Sequence, residues 1–309
     1  MILPVAGVYA LVVWTLAGLI TRQWWPQLSC LAASCYLLIE ISNSNALVRI
    51  RSRMVTTTFI FLSTMFVSGF ASLTGGMVQL CFVTAILLLF NTYQDNQSVG
   101  KVFYAFLSIG LSSLFFVHIL YLVPVIWILM ATQLQSFSGR TLAASIIGLV
   151  TPYWFIMLWF IYQQDFSLLV CHFSPLVSHF IPDGEPDASS SASVFLDYST
   201  VTLEQMLVYV FLVALSVAGI IHFWNNSFED KIRIRLLYGF FTTITLLMLV
   251  LLALLPRYFD PLIRLAFICA SPLVAHFLTL TSTRITNIAF FVIIVVCIVI
   301  TAVNLWMLS

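Results

Sequence analysis

The sequence predicts an all-α fold, a polytopic transmembrane bundle of about eleven helical spans in one domain over residues 1–309. Three observations predict it. Of 309 residues, 62% are hydrophobic and only 7% charged, against roughly 45–50% and about 25% in an ordinary soluble domain. The apolar residues gather in runs that approach the 17–25 residues a bilayer crossing requires. What charge there is falls between those runs, most densely in Asn43–Arg53, where Arg49, Arg51 and Arg53 alternate with apolar and small residues.

In chain order the spans are expected near 2–20, 27–41, 55–73, 77–91, 102–118, 121–134, 141–163, 203–224, 236–255, 261–281 and 286–306. The run Val102–Gln133 is too long for one crossing and has no polar break. His118, Tyr121 and Pro124 place a tight hairpin there, giving two short helices. Charge supports the break. With the N-terminus cytoplasmic and the C-terminus periplasmic, nine basic residues (Arg49, Arg51, Arg53, Lys101, Arg140, Lys231, Arg233, Arg235 and Arg284) fall inside. Only Arg22, Arg257 and Arg264 fall outside, as the positive-inside bias requires. Without the hairpin, Lys231, Arg233 and Arg235 would move outside and the bias would nearly vanish.

Residues 164–202 then form a periplasmic loop holding Asp165, Asp183, Glu185, Asp187 and Asp197 with no Lys or Arg. Within it, Phe166, Leu169, Val170, Phe173 and Phe180 recur at helical spacing, predicting an interfacial helix over 166–181 kinked by Pro175. A Ser-rich linker follows over 183–193. Met1-Ile-Leu-Pro-Val carries no basic n-region and no small-residue cleavage site before Arg22, so the first span reads as retained. Trp24, Trp25 and Trp224 read as interfacial anchors. Ala144-x-x-x-Gly148 is a small-x-x-x-small pair that permits close helix approach.

Composition also excludes functions. Twelve Lys and Arg against eleven Asp and Glu leave no basic footprint for nucleic acid. Six scattered cysteines without C-x-x-C spacing read as packing residues, Cys171 alone reaching an aqueous face. No cofactor and no metal is expected: His172 and His179, seven apart without paired carboxylates, do not make a ligand set.

An ionised side chain at mid-membrane costs about 2.5–3.5 kcal/mol on insertion scales, so each intramembrane polar residue needs a reason. Glu40 and His276 lie at similar depth and are candidates for a hydrogen-bonded pair on a proton path, with Glu40 alternatively reaching the inner interface beside Ser42 and Asn43. Arg257 and Arg264, with Arg22, are the periplasmic cations. A guanidinium fork matches phosphate, although Asp260 also stands four residues from Arg264 at ion-pair spacing. His172, His179 and Asp165 are the candidates for acid/base work beside such a phosphate, and His118 at the hairpin tip would face the same side.

Four stretches, Asn45–Arg53, Gly110–Phe116, Gly139–Tyr153 and Ser271–His276, resemble a family of integral membrane proteins of Bacteroidetes-type bacteria, a domain of unknown function. More distantly, the paired short spans leading to a Gly-containing helix are similar to the membrane half of polyprenyl-phosphate-dependent glycosyltransferases. Those enzymes carry acidic residues in the first outer loop; here it is Thr21-Arg-Gln-Trp-Trp-Pro26, with no carboxylate.

Three functions are expected in order. The first is an inner-membrane protein of cell-envelope biogenesis that binds a polyprenyl-phosphate-linked glycan or lipid carrier at its periplasmic face; as an enzyme it would be a lipid-carrier-dependent glycosyltransferase or polymerase. The second is a proton-linked transporter or flippase. The third is a non-catalytic scaffold that engages partner membrane proteins. The topology itself is testable: a cysteine at Ser227 should label only from the cytoplasm and one at Arg257 only from the periplasm. The reverse pattern would remove the hairpin break.

Overall fold

The computed structural model describes residues 2–47, 52–163, 172–174, 176, 198, 201–280 and 284–308. The described residues form eleven α-helices: α1 (Ile2–Leu16), α2 (Trp25–Asn45), α3 (Met54–Met65), α4 (Leu73–Phe90), α5 (Val99–Phe115), α6 (Leu122–Thr132), α7 (Gly139–Gln163), α8 (Leu203–Asn226), α9 (Ile232–Leu254), α10 (Phe259–Leu280) and α11 (Arg284–Leu308). No strand occurs among them. Six helices are long and apolar enough to cross a membrane: α4, α7, α8, α9, α10 and α11. The proposed interfacial helix and Ser-rich linker lie almost wholly outside the described residues.

Local chemistry sets the ends. Pro26 sits in the first turn of α2, where its missing N–H costs nothing. Thr202-Leu-Glu-Gln205 makes a reciprocal capping box on α8: Gln205 N donates to Thr202 Oγ1 at 3.3 Å and Thr202 N to Gln205 Oε1 at 3.2 Å. Ser72 caps α4 by accepting from Gly75 N at 3.1 Å. Gly18, with φ of 103°, turns the chain after α1 in a conformation that disfavours side chains.

The run after Val102 breaks where His118 and Pro124 place it. Helix α5 stops at Phe115, a 3-10 turn covers Val117–Tyr121, and α6 resumes at Leu122. The expected third span over 55–73 does not continue as one helix. It ends at Met65, and Ser68–Ala71 forms a 3-10 turn instead. Leaving the helix frees the Gly69 carbonyl for Arg264 and the Ser68 N–H for Glu204 Oε1 at 3.2 Å.

The connections gather at two ends. At one, Gln94 N donates to Leu134 O at 2.9 Å, Thr92 Oγ1 to Ser136 Oγ at 3.2 Å, and Arg233 Nη2 to Asn45 Oδ1 at 2.7 Å. Arg53, Lys101, Arg140 and Lys231 stand here, so this is called the basic end. At the opposite end Gln27 Nε2 reaches Ala71 O at 3.3 Å, and the rings of Phe66 and Phe259 meet edge to face at 5.6 Å. Helix α10 is the axis. Of its most apolar window 78% is buried, against 22% for α11 at the periphery. Pro272 inside α10 leaves the Ile268 carbonyl without its helical donor, and Ser271 Oγ supplies one at 3.0 Å.

Helices α5 and α7 approach backbone to backbone. A Cβ at Gly110 would stand 2.7 Å from Leu149 O, and one at Gly148 would overlap the Phe103 carbonyl oxygen. The Ala144-x-x-x-Gly148 pair is therefore spent on this chain's own packing, as is Gly219, where a Cβ would lie 3.0 Å from the Leu273 backbone. Gly148→Leu should lower the melting temperature in detergent by several degrees, overpacking costing about 1–3 kcal/mol. Gly100→Ala, where a Cβ meets nothing within 4 Å, should leave it unchanged.

Candidate functional sites at the two ends of the central helix

His276 stands near the basic end of α10. Its Nε2 lies 3.1 Å from Asp230 Oδ2, and both side chains are 1% exposed. Asp230 follows the 3-10 turn Ser227–Glu229, which brings the carboxylate across the mouth between α8 and α9. Aromatic rings wall the imidazole: Tyr238 at 4.9 Å, Phe223 at 5.6 Å and His222 at 5.4 Å between centroids. His222 is half-buried, and its Nε2 meets Asn226 Nδ2 at 2.8 Å. A sequence of groups thus runs from the half-buried margin at Asn226 and His222 to the enclosed His276 and Asp230. Tyr238 is fully buried, and its hydroxyl has no hydrogen-bond partner among the described residues.

Taking an ion out of water costs several kcal/mol, so a buried carboxylate and a buried imidazole both need polar partners, and here each offers one to the other. Such a pair can take up or give away one proton, because either partner stabilises the charge left on the other. Nearby, Arg233 ties α9 to α2 through Asn45 and lies 5.2 Å from the Tyr93 ring centroid.

The opposite end of α10 holds Arg264. Its Nε donates to Asp260 Oδ1 at 2.9 Å, the side chains being 13% and 27% exposed, and its Nη2 donates to Gly69 O. Gly75 makes room for this arrangement, since a Cβ there would meet Asp260 Oδ2 at 2.6 Å and Arg264 Nε at 2.8 Å. Beneath the guanidinium is a cavity of about 20 Å³ lined by Trp14, Gln27, Ser63 and Gln79. Trp14 Nε1, Gln27 Oε1 and Ser63 Oγ have no hydrogen-bond partner among the described residues. Its size and its polar lining suit a single water molecule, which needs roughly 10–15 Å³ and two to four polar partners.

The other expected residues separate. Glu40 is exposed on α2 and does not pair with His276, whose carboxylate partner is Asp230. Arg22 is exposed with its guanidinium 5.2 Å from the Trp24 ring, and Arg257 is exposed on the turn Pro256–Tyr258. The three arginines at this end are therefore not gathered into one site: Arg264 is held by Asp260 and Gly69, Arg22 rests on indole, and Arg257 is exposed. His118 is 3% exposed with its ring 4.0 Å from Tyr258, enclosed rather than facing a vestibule. His172 is half-buried, with Nε2 3.1 Å from Ser113 O. Asp165 and His179 lie outside the described residues. Among the described residues no three of His, Cys, Asp or Glu stand close enough to hold a metal ion.

Sequence reasoning missed Asp230, Glu204 and Gly69. For Asp230 a signal existed: the acidic pair Glu229-Asp230 directly before Lys231-Ile-Arg-Ile-Arg235 at a helix start. For Gly69 there was none, its partner being 195 residues away. The chain matches no protein-family model, no curated protein and no solved structure.

A double-mutant cycle on Arg264→Met and Asp260→Asn, read as thermal stability in detergent, should show a coupling of about 1 kcal/mol or more. Strict additivity would mean the pair is an ornament of the surface.

Proposed function

We propose that this chain crosses a bacterial inner membrane eleven times, N-terminus in the cytoplasm and C-terminus in the periplasm, and links proton movement to transport of a solute or lipid. The observation that carries the proposal is the His276–Asp230 pair, hydrogen-bonded at 3.1 Å with both side chains 1% exposed. Ionisable groups enclosed in a membrane bundle are costly and mark proton or substrate paths. In this scheme His222 at the half-buried margin takes a proton from the basic end. His276 receives it at a ring separation of 5.4 Å, by side-chain reorientation or through an intervening water. Asp230 holds the resulting imidazolium, and loss of the proton restores the starting pair. The change in charge sits where α8, α9 and α10 meet, so it biases how those three helices pack.

A second proposal keeps the envelope-biogenesis expectation, with a polyprenyl-phosphate carrier at the far end. The specific support is Arg257, an exposed cation on the turn before α10, with Arg22 exposed at the same end. Arg264 would then set the position of that turn rather than touch phosphate.

The two proposals separate in one set of measurements. Asp230→Asn and His276→Gln should abolish proton uptake into proteoliposomes driven by a pH gradient, while Arg257→Ala leaves it intact. If Arg257→Ala instead weakens binding of a polyprenyl phosphate about fivefold or more and the pair variants carry protons normally, the second proposal replaces the first.

A further inference from the structure

Three sulfur-bearing side chains meet where α2 packs on α4. Cys30 stands on α2, while Met77 and Cys81 lie one turn apart on one face of α4. Cys30 Sγ donates to Met77 Sδ at 3.8 Å, and Cys81 is within electrostatic reach of Cys30. Gly76 permits the approach. A Cβ there would stand 3.4 Å from Cys30 Cβ, so a side chain longer than alanine would force the two helices apart. Cys30 is buried, and Met77 and Cys81 are half-buried. Cys35, five residues beyond Cys30, packs instead toward Ala6, Ala10 and Ile60.

We infer that Cys30, Met77 and Cys81 form a binding site for one Cu(I) ion. Thiolate and thioether sulfur are soft donors and select Cu(I), whereas harder cations draw on carboxylate or carbonyl oxygen. Zinc sites are completed by four Cys, His or carboxylate ligands. No His, Asp or Glu among the described residues makes a group of three with the two cysteines, so the thioether of Met77 decides the metal. Distance agrees with this. Two sulfurs each about 2.3 Å from a metal and 3.8 Å from each other subtend about 110° at it. The Cys30–Met77 separation therefore suits an ion between them, and the flexible Met77 side chain adjusts without backbone movement.

Thiolate rather than thiol is the ligand, so Cys30 and Cys81 each give a proton to water as the ion binds. Two thiolates and Cu(I) leave one negative charge. The Arg264 guanidinium is within electrostatic reach of Cys30 and helps to offset it. The way in is short. Met77 stands about 6 Å and Cys81 about 12 Å along α4 from its first residue, below the exposed Leu73 and Thr74. The site lies far from the His276–Asp230 pair and does not use Arg257, so it rests on neither reading of function.

The experiment is titration of the reduced full chain in detergent with Cu(I) held by bicinchoninate. Wild type should draw off one equivalent, and X-ray absorption should show three sulfurs at about 2.3 Å with no nitrogen or oxygen in the shell. Cys30→Ala and Cys81→Ala should each weaken retention more than about 100-fold, beyond the 10–100-fold that loss of an outer partner costs. Met77→Leu should weaken it about tenfold or more. Cys35→Ala should match wild type. Failure of wild type to take Cu(I) from bicinchoninate, nitrogen or oxygen in the shell, or wild-type retention by Cys30→Ala would overturn the site. An equal loss in Cys35→Ala would mean adventitious capture by thiols and would overturn it as well. Should a variant fail to fold, the sulfur shell of wild type still decides.

Discussion

In hydrocarbon no water completes an unmet hydrogen bond, and every polar group within the bundle must find its partner in the protein. The structure meets that demand along one helix. Helix α10 is the most buried of the six span-length helices, yet it carries a pair of polar, ionisable groups near each end: Asp260–Arg264 at one and His276 with Asp230 at the other. Between them the residues are small or apolar, from Leu265 to Ala270 and from Leu273 to Ala275, and the break at Pro272 is repaired within the helix by Ser271. The neighbouring elements reach both ends of this axis, through the Gly69 carbonyl at Arg264 and the Asp230 carboxylate at His276.

The two ends differ in kind. At the Arg264 end the cation is held by a neighbour on its own helix and by a backbone carbonyl, and two glycines, Gly69 and Gly75, make the space. Such a knot fixes geometry and has no free valence for chemistry. At the His276 end both partners are ionisable, aromatic rings surround the imidazole, and a second histidine stands at the margin. The two ends therefore differ both in burial and in the kind of group that is buried: a cation held by fixed acceptors at one, two ionisable partners at the other.

Much of the fold was legible because the period of apolar residues and the punctuation by Pro, Gly and caps are local signals. Each predicted segment overlaps a helix among the described residues, six of these being long and apolar enough to cross a membrane, and the pair divided at 116–121 follows His118 and Pro124. Ala144-x-x-x-Gly148 announced a close crossing, and α5 supplies the other half of it through Gly110. What was hidden is long-range. Glu40 and His276 share a depth, but depth says nothing about which helix faces which. Glu40 turns outward, while Asp230, 46 residues before His276, turns in. Likewise 55–73 reads as one apolar run, and the long-range partners of the turn that interrupts it, Arg264 for the Gly69 carbonyl and Glu204 for the Ser68 N–H, leave no mark in the local sequence.

The central claim is that the enclosed imidazole of His276 gains and loses a proton while the bundle stays folded. The most direct measurement is the nitrogen resonances of His276, labelled in nanodiscs and followed by magnetic resonance as pH is lowered. The account predicts conversion of the ring to imidazolium with helix packing retained, and loss of that conversion in Asp230→Asn. A ring that stays neutral until the protein unfolds would contradict it.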